Sequence, residues 1–433
     1  MAADVVTIGR GARGAVGGGR GADADVAAGV PAVAEGMGLY VHFPFCSVHC
    51  PYCDFAVDAR ADIPHDAYAA AVIGEIRARA PWFGAVAEGK REGGAPAAPR
   101  LVSIYFGGGT PGLWRPESLG RVIDAGRAAF GATGSSLEIT VEANPGEVSE
   151  AGLAALAVFG VNRLSLGVQS LDDRALAALG RNHVAAAAPA AMRAARAAGF
   201  DNVSIDLMFG LPDQTMEDWR RTIDEMLELG PEHVSAYALT IERGTPFGAR
   251  ARKGELVVAD DGLVADMQSH AVRALGAAGL ERYEVSSYAR AGRRAVHNSL
   301  YWALAPYLGV GASASSFRAL ADGTAWRFSN PRATDTYLRA AQSSPSGSPA
   351  PAQVERRLSA DLENEAVWLA LRTTDGLSIA AHTARYGAAP LAARGPTISA
   401  LVARGWLTRT ATHLAPTVEG LLFADEIASR LWQ

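Results

Sequence analysis

Cysteine is nearly absent: 433 residues hold only Cys46, Cys50 and Cys53, all within eight positions. An odd, clustered set cannot build a disulfide framework, and in a reducing compartment it reads as metal ligation. An excess of positive charge is also missing, since 40 Lys and Arg stand against 45 Asp and Glu for a formal charge of −5. That balance gives no polycationic surface for a phosphate backbone, so no nucleic-acid partner is expected and a small molecule or a protein is favoured. No run approaches the roughly 18 consecutive apolar residues of a transmembrane helix, so no transmembrane segment is expected. The N-terminal stretch carries arginines but no compact apolar core before a cleavage site, and the expected location is cytoplasmic.

What is present begins with a biased stretch. Nineteen of the first 36 residues are Ala or Gly, without a period that could bury a face, so 1–36 is expected to be a disordered tail. Met37 stands directly before the first strand-like run and offers an alternative start. From there, short β-branched or aromatic runs alternate with longer Ala/Leu-rich amphipathic stretches, the mark of βα units and a parallel sheet. Six strands are expected near 38–43, 101–106, 137–142, 163–168, 203–207 and 233–239. Helices near 64–79, 116–130, 149–158, 183–198 and 215–229 fall between them. Right-handed crossovers then curl the sheet into a barrel or part of one, with 90–100 as a surface loop. A helix near 258–278, a strand-like 283–288 and an aromatic segment 297–307 follow, where regular alternation stops. The Ser/Pro-rich 343–353 reads as a flexible linker before a helical, winged-helix-like domain with a turn-rich piece around 406–413. The expected division is 1–36, 37–340, 341–354 and 355–433.

The cysteines are spaced C-x-x-x-C-x-x-C on the loop after the first strand. Three thiolates leave one iron of a cubane cluster without a protein ligand, free to chelate the amino and carboxylate groups of a methionine-type cosubstrate. The motif by itself also admits zinc with His42 or His49 as fourth ligand, or plain buried thiols. Downstream, Gly107-Gly108-Gly109-Thr110 follows the second strand, where side-chain-free residues let backbone amides approach a ligand. Glu142, Gln169 and Asp206 end three further strands at the same sheet edge, where each taken singly could instead be a cap or turn former. Arg181 suits a carboxylate because its planar guanidinium binds one through two hydrogen bonds, and an exposed helix-start arginine is the bland alternative. His297-Asn298-Ser-Leu-Tyr301-Trp302 brings a neutral imidazole beside two aromatics, fit for heme iron and macrocycle, or a turn cap beside core aromatics.

The cysteine spacing with Tyr52 before the last thiol resembles the radical S-adenosylmethionine (SAM) superfamily. Within it, Tyr40-Val-His-Phe-Pro-Phe-Cys46 is similar to the HemN/HemW branch of oxygen-independent coproporphyrinogen III oxidases and heme chaperones, from about Gly38 to the C-terminus. The resemblance implies a radical SAM partial (β/α)6 TIM-type barrel with a small C-terminal domain that is not a DNA reader. It implies a [4Fe-4S] cluster on Cys46, Cys50 and Cys53. It implies SAM held by Tyr40, Tyr52, Gly108, Gly109, Thr110, Glu142, Gln169, Arg181, Asp206 and Ala238. The segment His297–Trp302 resembles the H-N-x-x-Y-W motif of the heme chaperones, with heme at His297, Asn298, Tyr301 and Trp302. The oxidases carry a further cysteine two residues after the third, where this chain has Asp54-Phe55, and a structured N-terminal extension. The resemblance therefore implies a heme chaperone serving heme-accepting respiratory proteins, with an electron donor for the cluster and a homodimer. The alternative is a true radical enzyme acting on a porphyrinogen, and a winged-helix regulator is the third.

Overall fold

The computed structural model describes residues 36–84, 100–132 and 136–433. The expected tail, apart from Gly36, and residues 90–99 of the expected loop lie outside them. Strand β1 (Gly36–Phe43) turns Leu39, Val41 and Phe43 to one face, all 0 % exposed, and Tyr40 and His42 to the other. On the outer face, helix α1 (His65–Arg79) brings Tyr68 edge-on to Phe43 at 6.1 Å, and Trp114 stacks on Phe43 at 4.8 Å. Strand β2 (Arg100–Gly108) leads to α2 (Pro116–Phe130), which starts on proline and stops at Gly131 with φ +61°. Then come β3 (Glu138–Ala143), α3 (Glu150–Val158), β4 (Arg163–Gln169), a short α4 (Asp173–Ala178) and α5 (Ala187–Ala197). Strand β5 (Val203–Phe209) and α6 (Met216–Glu228), whose Thr215 and Asp218 form a capping box, precede β6 (His233–Ala238).

These six strands lie in sequence order, each parallel to the next, so their C-terminal ends form one rim. The outer faces pack on the helices as the main core, where Trp219 and Met226 of α6 are 0 % exposed. The inner faces carry many polar residues, and it is there that the site lies. No helix among the described residues is long and apolar enough to cross a membrane.

Beyond β6 the chain departs from the expected pattern. After α7 (Asp261–Ala277), the strand expected at 283–288 is split into Glu281–Arg282 and β7 (Ser287–Ala289). The Glu284 carboxylate accepts the Ser286 N–H at 3.0 Å and bends the chain, so that Val285 donates to the Arg372 carbonyl at 3.0 Å instead of to a neighbouring strand. Helix α8 (Val296–Trp302) crosses the lower ends of β1 and β2, and β8 (Tyr307–Val310) pairs parallel with β1. Strands β9 (Ser315–Ala319) and β10 (Ala325–Ser329), then β11 (Gln353–Arg357), extend the sheet antiparallel to twelve strands, so strand order resumes where alternation was expected to end. The stretch read as a linker, after α9 (Thr334–Ser343), is tied to the barrel: Arg79 donates to the Pro349 carbonyl at 2.8 Å, and a Cβ on Gly74 would meet the Gly347 carbonyl at 2.6 Å.

The C-terminal body has its own core, including Leu371, Leu401 and Ile427. It comprises α10 (Ser359–Ala370), β12 (Leu377–Ser378), α11 (Ile379–Tyr386), α12 (Gly395–Ala403), β13 (Leu407–Arg409), β14 (His413–Pro416) and α13 (Ala424–Leu431). Its three strands form a small antiparallel sheet, a winged-helix-like arrangement in which β13 and β14 replace the turn-rich piece. A buried triad holds it, with Arg394 and His382 each 2.7 Å from the Glu363 carboxylate.

Candidate functional site

The three cysteines stand on a loop pinned at both ends. Phe45–Cys46 pairs parallel with Asp58–Ala59, and Cys53 N–H closes a turn onto the Cys50 carbonyl at 3.1 Å. The glycine turn after β2 is tied to the same loop, since Gly109 N–H donates to Phe43 at 2.7 Å and Thr110 N–H to Phe45 at 2.8 Å. Only glycine fits there: a Cβ on Gly109 would stand 2.6 Å from the Phe45 carbonyl, and Gly108 has φ +111° with the His42 ring 2.5 Å from its would-be Cβ. Backbone approach thus fixes the turn beside the thiols.

All three thiols are half-buried and free. Thr110 Oγ1 lies 3.6 Å from Cys46 Sγ and Arg181 Nη1 lies 3.7 Å from Cys50 Sγ. Burial pushes the Cys46 thiol up to about 11 and raises Cys53 as well, so both are protonated until a metal displaces the proton. Of the two histidines that zinc could recruit, His42 has both ring nitrogens engaged. His42 donates from Nε2 to the Ala56 carbonyl at 2.9 Å and accepts the Tyr40 hydroxyl on Nδ1 at 3.1 Å, while His49 contacts the Cys53 carbonyl at 3.3 Å. Among the described residues no three His, Cys, Asp or Glu side chains converge on a single ion.

The sheet rim brings the other expected residues to this loop. Arg181 is their hub: it donates to Cys50 Sγ, to Asn144 Oδ1, to the Gly167 carbonyl at 2.9 Å and to the Tyr52 hydroxyl at 3.4 Å, and its buried Nε has no partner among the described residues. Glu142 accepts the Tyr105 hydroxyl at 2.6 Å and the Gly108 N–H at 3.2 Å. Asp206 does not end its strand as expected but stands mid-way along β5, because pairing with β6 continues to Phe209; it accepts the Ser165 hydroxyl at 2.9 Å and the Ser204 hydroxyl at 3.3 Å. Burial raises both carboxyls above their ordinary range, opposed at Glu142 by Tyr105 and at Asp206 by the serine hydroxyls. Gln169 adopts φ +65°, a left-handed conformation that is strained for glutamine, and takes the Tyr237 hydroxyl at 2.9 Å. Ala238 closes β6 on the same rim, and Tyr40 stacks on Tyr105 at 6.2 Å.

The H-N-x-x-Y-W residues are divided. His297 and Tyr301 face the barrel interior, where His297 is 1 % exposed and stacks on Tyr105 at 5.1 Å. One ring nitrogen meets Ser103 Oγ at 2.8 Å and the other the Tyr301 hydroxyl at 2.9 Å, so neither is open to iron in this arrangement. Burial depresses His297 to about 3, which keeps it neutral. Asn298 and Trp302 are half-buried, and the Trp302 Nε1 has no partner among the described residues.

Several participants were not singled out from the sequence. Asn144 joins the hub, donating to Thr110 Oγ1 at 3.2 Å and to Glu147 at 2.7 Å. Tyr105, Tyr237, Ser165 and Ser204 hold the polar rim residues. Period-two alternation was the available signal, because Asn144 lies two residues beyond Glu142, and Tyr105 precedes Gly107 by the same step.

The sequence and the fold are similar to those of known proteins. The profile of the radical SAM superfamily matches residues 40–226, and that of the HemN C-terminal domain matches 359–423. The chain is 35 % identical over 304 residues to the heme chaperone HemW of Haemophilus influenzae, which covers 70 % of this chain and 76 % of that one. It is 33 % identical over 402 residues to the heme chaperone HemW of Mycobacterium tuberculosis, which covers 93 % and 96 %. Among solved structures, the coproporphyrinogen III oxidase HemN of Escherichia coli, a radical SAM enzyme, aligns with TM-score 0.74 at 22 % identity over 93 % of this chain and 92 % of that one, and so has the same fold. A radical SAM domain implies a [4Fe-4S] cluster and SAM. With a barrel rim that gathers its three thiols, a HemN-type C-terminal body and relatives of this kind along nearly its whole length, the chain belongs to the HemW family of the radical SAM superfamily.

Proposed function

We propose that the protein is a heme chaperone that holds a SAM-ligated [4Fe-4S] cluster at the barrel rim and delivers heme to respiratory proteins, without coproporphyrinogen oxidase activity. The observation that carries the cofactor part is the convergence of three free thiols, the glycine turn and Arg181 at one rim. Bound on Cys46, Cys50 and Cys53, the cluster supplies an iron without a protein ligand and a route for one electron. The chain's own groups do the rest. Arg181 offers its guanidinium to the cosubstrate carboxylate, the turn at Gly108, Gly109 and Thr110 offers backbone groups to the amine, and Glu142, Gln169 and Asp206 offer hydrogen bonds to the nucleoside. Tyr40, Tyr52 and Ala238 wall the site.

The heme part is supported by the names of the relatives, and the lack of oxidase activity by Phe55, which stands where the oxidases carry a further cysteine. Coordination by His297 requires the imidazole to release Tyr301 or Ser103, so α8 must shift as heme enters. Asn298, Tyr301 and Trp302 then line the macrocycle. Location in the cytoplasm, an electron donor and a homodimer formed with the cluster or SAM belong to the same reading.

One anaerobic preparation tests it. Reconstituted protein titrated with heme is expected to give a Soret band that weakens in His297→Ala, and equal affinity with an unchanged band would remove His297 as ligand. The same sample reduced with SAM and coproporphyrinogen III is expected to form no protoporphyrinogen. Turnover would establish the oxidase instead.

A further inference from the structure

The turn that follows β3 carries a carboxylate that the cosubstrate site does not use. Asn144-Pro145-Gly146-Glu147 leaves the strand through one tight helical turn, Pro145–Glu147, closed by the Glu147 N–H on the Asn144 carbonyl at 3.0 Å. Gly146 lets this turn run close to the segment after Arg181, because a Cβ there would stand 3.0 Å from the Cβ of His183. Folded back in this way, Glu147 turns its two oxygens to different partners. Oε1 accepts the hydroxyl of Ser47, one residue from Cys46, and the amide of Asn182, one residue from Arg181, at 2.8 Å. Asn182 also donates to Ser47 Oγ at 2.8 Å, so the three side chains close a ring. Oε2 accepts the amide of Asn144 at 2.7 Å. That amide nitrogen also reaches Thr110 Oγ1 at 3.2 Å, which lies 3.6 Å from Cys46 Sγ, and the opposite end of the Asn144 side chain, Oδ1, accepts Arg181.

An asparagine side chain fits its site in either of two ways, with donor and acceptor ends exchanged. Here both neighbours are one-sided. An arginine has donors only and a carboxylate has acceptors only, so Asn144 turns its oxygen to Arg181 and its nitrogen to Glu147. The Thr110 hydroxyl imposes nothing, since it serves as donor or acceptor. We propose that Glu147 is a positioning residue: through Asn144 it fixes the acceptor on which Arg181 is held, and through Ser47 and Asn182 it ties that arginine to the cysteine loop, so that the guanidinium meets the carboxylate of a cosubstrate bound at the cluster. This rests on the rim being the SAM site. Glu147 itself touches no part of the cosubstrate and acts through the asparagine.

Isosteric substitutions reverse the donor–acceptor order without changing volume. In Glu147→Gln the new amide keeps its oxygen for Ser47 and Asn182 and sets its nitrogen against that of Asn144. Either this clash stands or Asn144 flips and turns its nitrogen to Arg181, and in both cases a donor faces a donor. In Asn144→Asp two carboxylates face one another. The double variant Glu147→Gln with Asn144→Asp restores the order with the roles exchanged: the glutamine nitrogen donates to the new carboxylate, whose other oxygen still accepts Arg181, and the pair again carries a single carboxylate. SAM dissociation constants of the four anaerobically reconstituted full-length proteins are to be compared at equal iron content. Each single variant is expected to bind about tenfold more weakly than the wild type. The double variant is expected to return to within about twofold of it, whereas side chains that merely fill space would give losses that multiply. Wild-type affinity in Glu147→Gln, or a double variant as weak as either single one, would overturn the proposal. Should a single variant fail to take up iron, the double variant decides, at wild-type affinity in favour and at tenfold weaker binding against. Thermal unfolding of the same proteins without SAM reads the pair alone: the midpoint lost in each single variant is expected to be regained in the double, and additive losses would remove Glu147 as the group that orients Asn144. Failure of the wild type to bind SAM would overturn the rim as SAM site, whereas the unfolding cycle still answers for Glu147.

Discussion

The two ends of the barrel satisfy their polar groups in opposite ways. At the rim, Arg181 spreads over a thiol, an amide, a carbonyl and a phenol with Nε unpartnered among the described residues, and Gln169 holds a strained left-handed conformation. At the floor, both nitrogens of His297 and both of His233 are bonded, Glu138 takes two backbone N–H groups, and the C-terminal body adds backbone bonds such as Thr374 to Tyr283 at 3.0 Å. The rim is built to exchange internal bonds for ligand bonds, whereas the floor is held closed by internal bonds, of which heme would have to break one to reach His297. Rim substitutions should therefore cost ligand affinity and floor substitutions should cost stability.

The largest expected effect breaks the rim outright. Replacing Cys46, Cys50 or Cys53 by serine should remove nearly all iron and visible absorption after reconstitution, while His297→Ala leaves the iron content intact; iron analysis decides. Next comes the floor, where His297→Ala opens a cavity beside Tyr105 and strands the Ser103 and Tyr301 hydroxyls. A loss of about 2–4 kcal/mol in denaturant unfolding is expected, and a loss below about 1 kcal/mol would show that the floor is not closed. Arg181→Met should do the reverse, weakening SAM binding roughly 10- to 100-fold in equilibrium titration while shifting unfolding by less than about 1 kcal/mol. The smallest effect is on pH dependence. Because burial holds His297 at about 3 in the fold, against about 6.5 when unfolded, the native state binds fewer protons below pH 6.5. Stability should then fall as pH drops from about 6.5 towards 3, by about 2 kcal/mol at pH 5 on account of this residue. His297→Gln should flatten that slope in thermal scans at pH 5 and 7.

The rim was legible in the sequence and the floor was not, for physical reasons. Each of β1 to β6 is a largely buried run, and α2, α5 and α6 between them are amphipathic, so periodicity marks both, and Glu142 and Gln169 near their strand ends stand out from the apolar neighbours. The later strands give no such signal. Gln353–Arg357 reads QVERR, a charged edge strand whose pairing with Ala325–Ser329 depends on partners distant in sequence. The Ser/Pro-rich stretch before it reads as a linker by composition, yet it is held by a buried arginine from α1, a contact that no local pattern encodes. Helix α4 is only six residues long and falls below the reach of a periodicity argument. The histidine of H-N-x-x-Y-W reads as an open ligand because sequence carries no record of Ser103, 194 positions away, which occupies its Nδ1.

The most direct measurement is made on protein reconstituted without air: iron and sulfide per chain, then the electron paramagnetic resonance spectrum of the reduced sample before and after SAM. With Cys46, Cys50 and Cys53 as the cluster ligands, about four irons and four sulfides per chain are expected, with a spectrum that changes when SAM occupies the open iron. Iron that persists in the triple serine variant, or a reduced spectrum indifferent to SAM, would contradict the account.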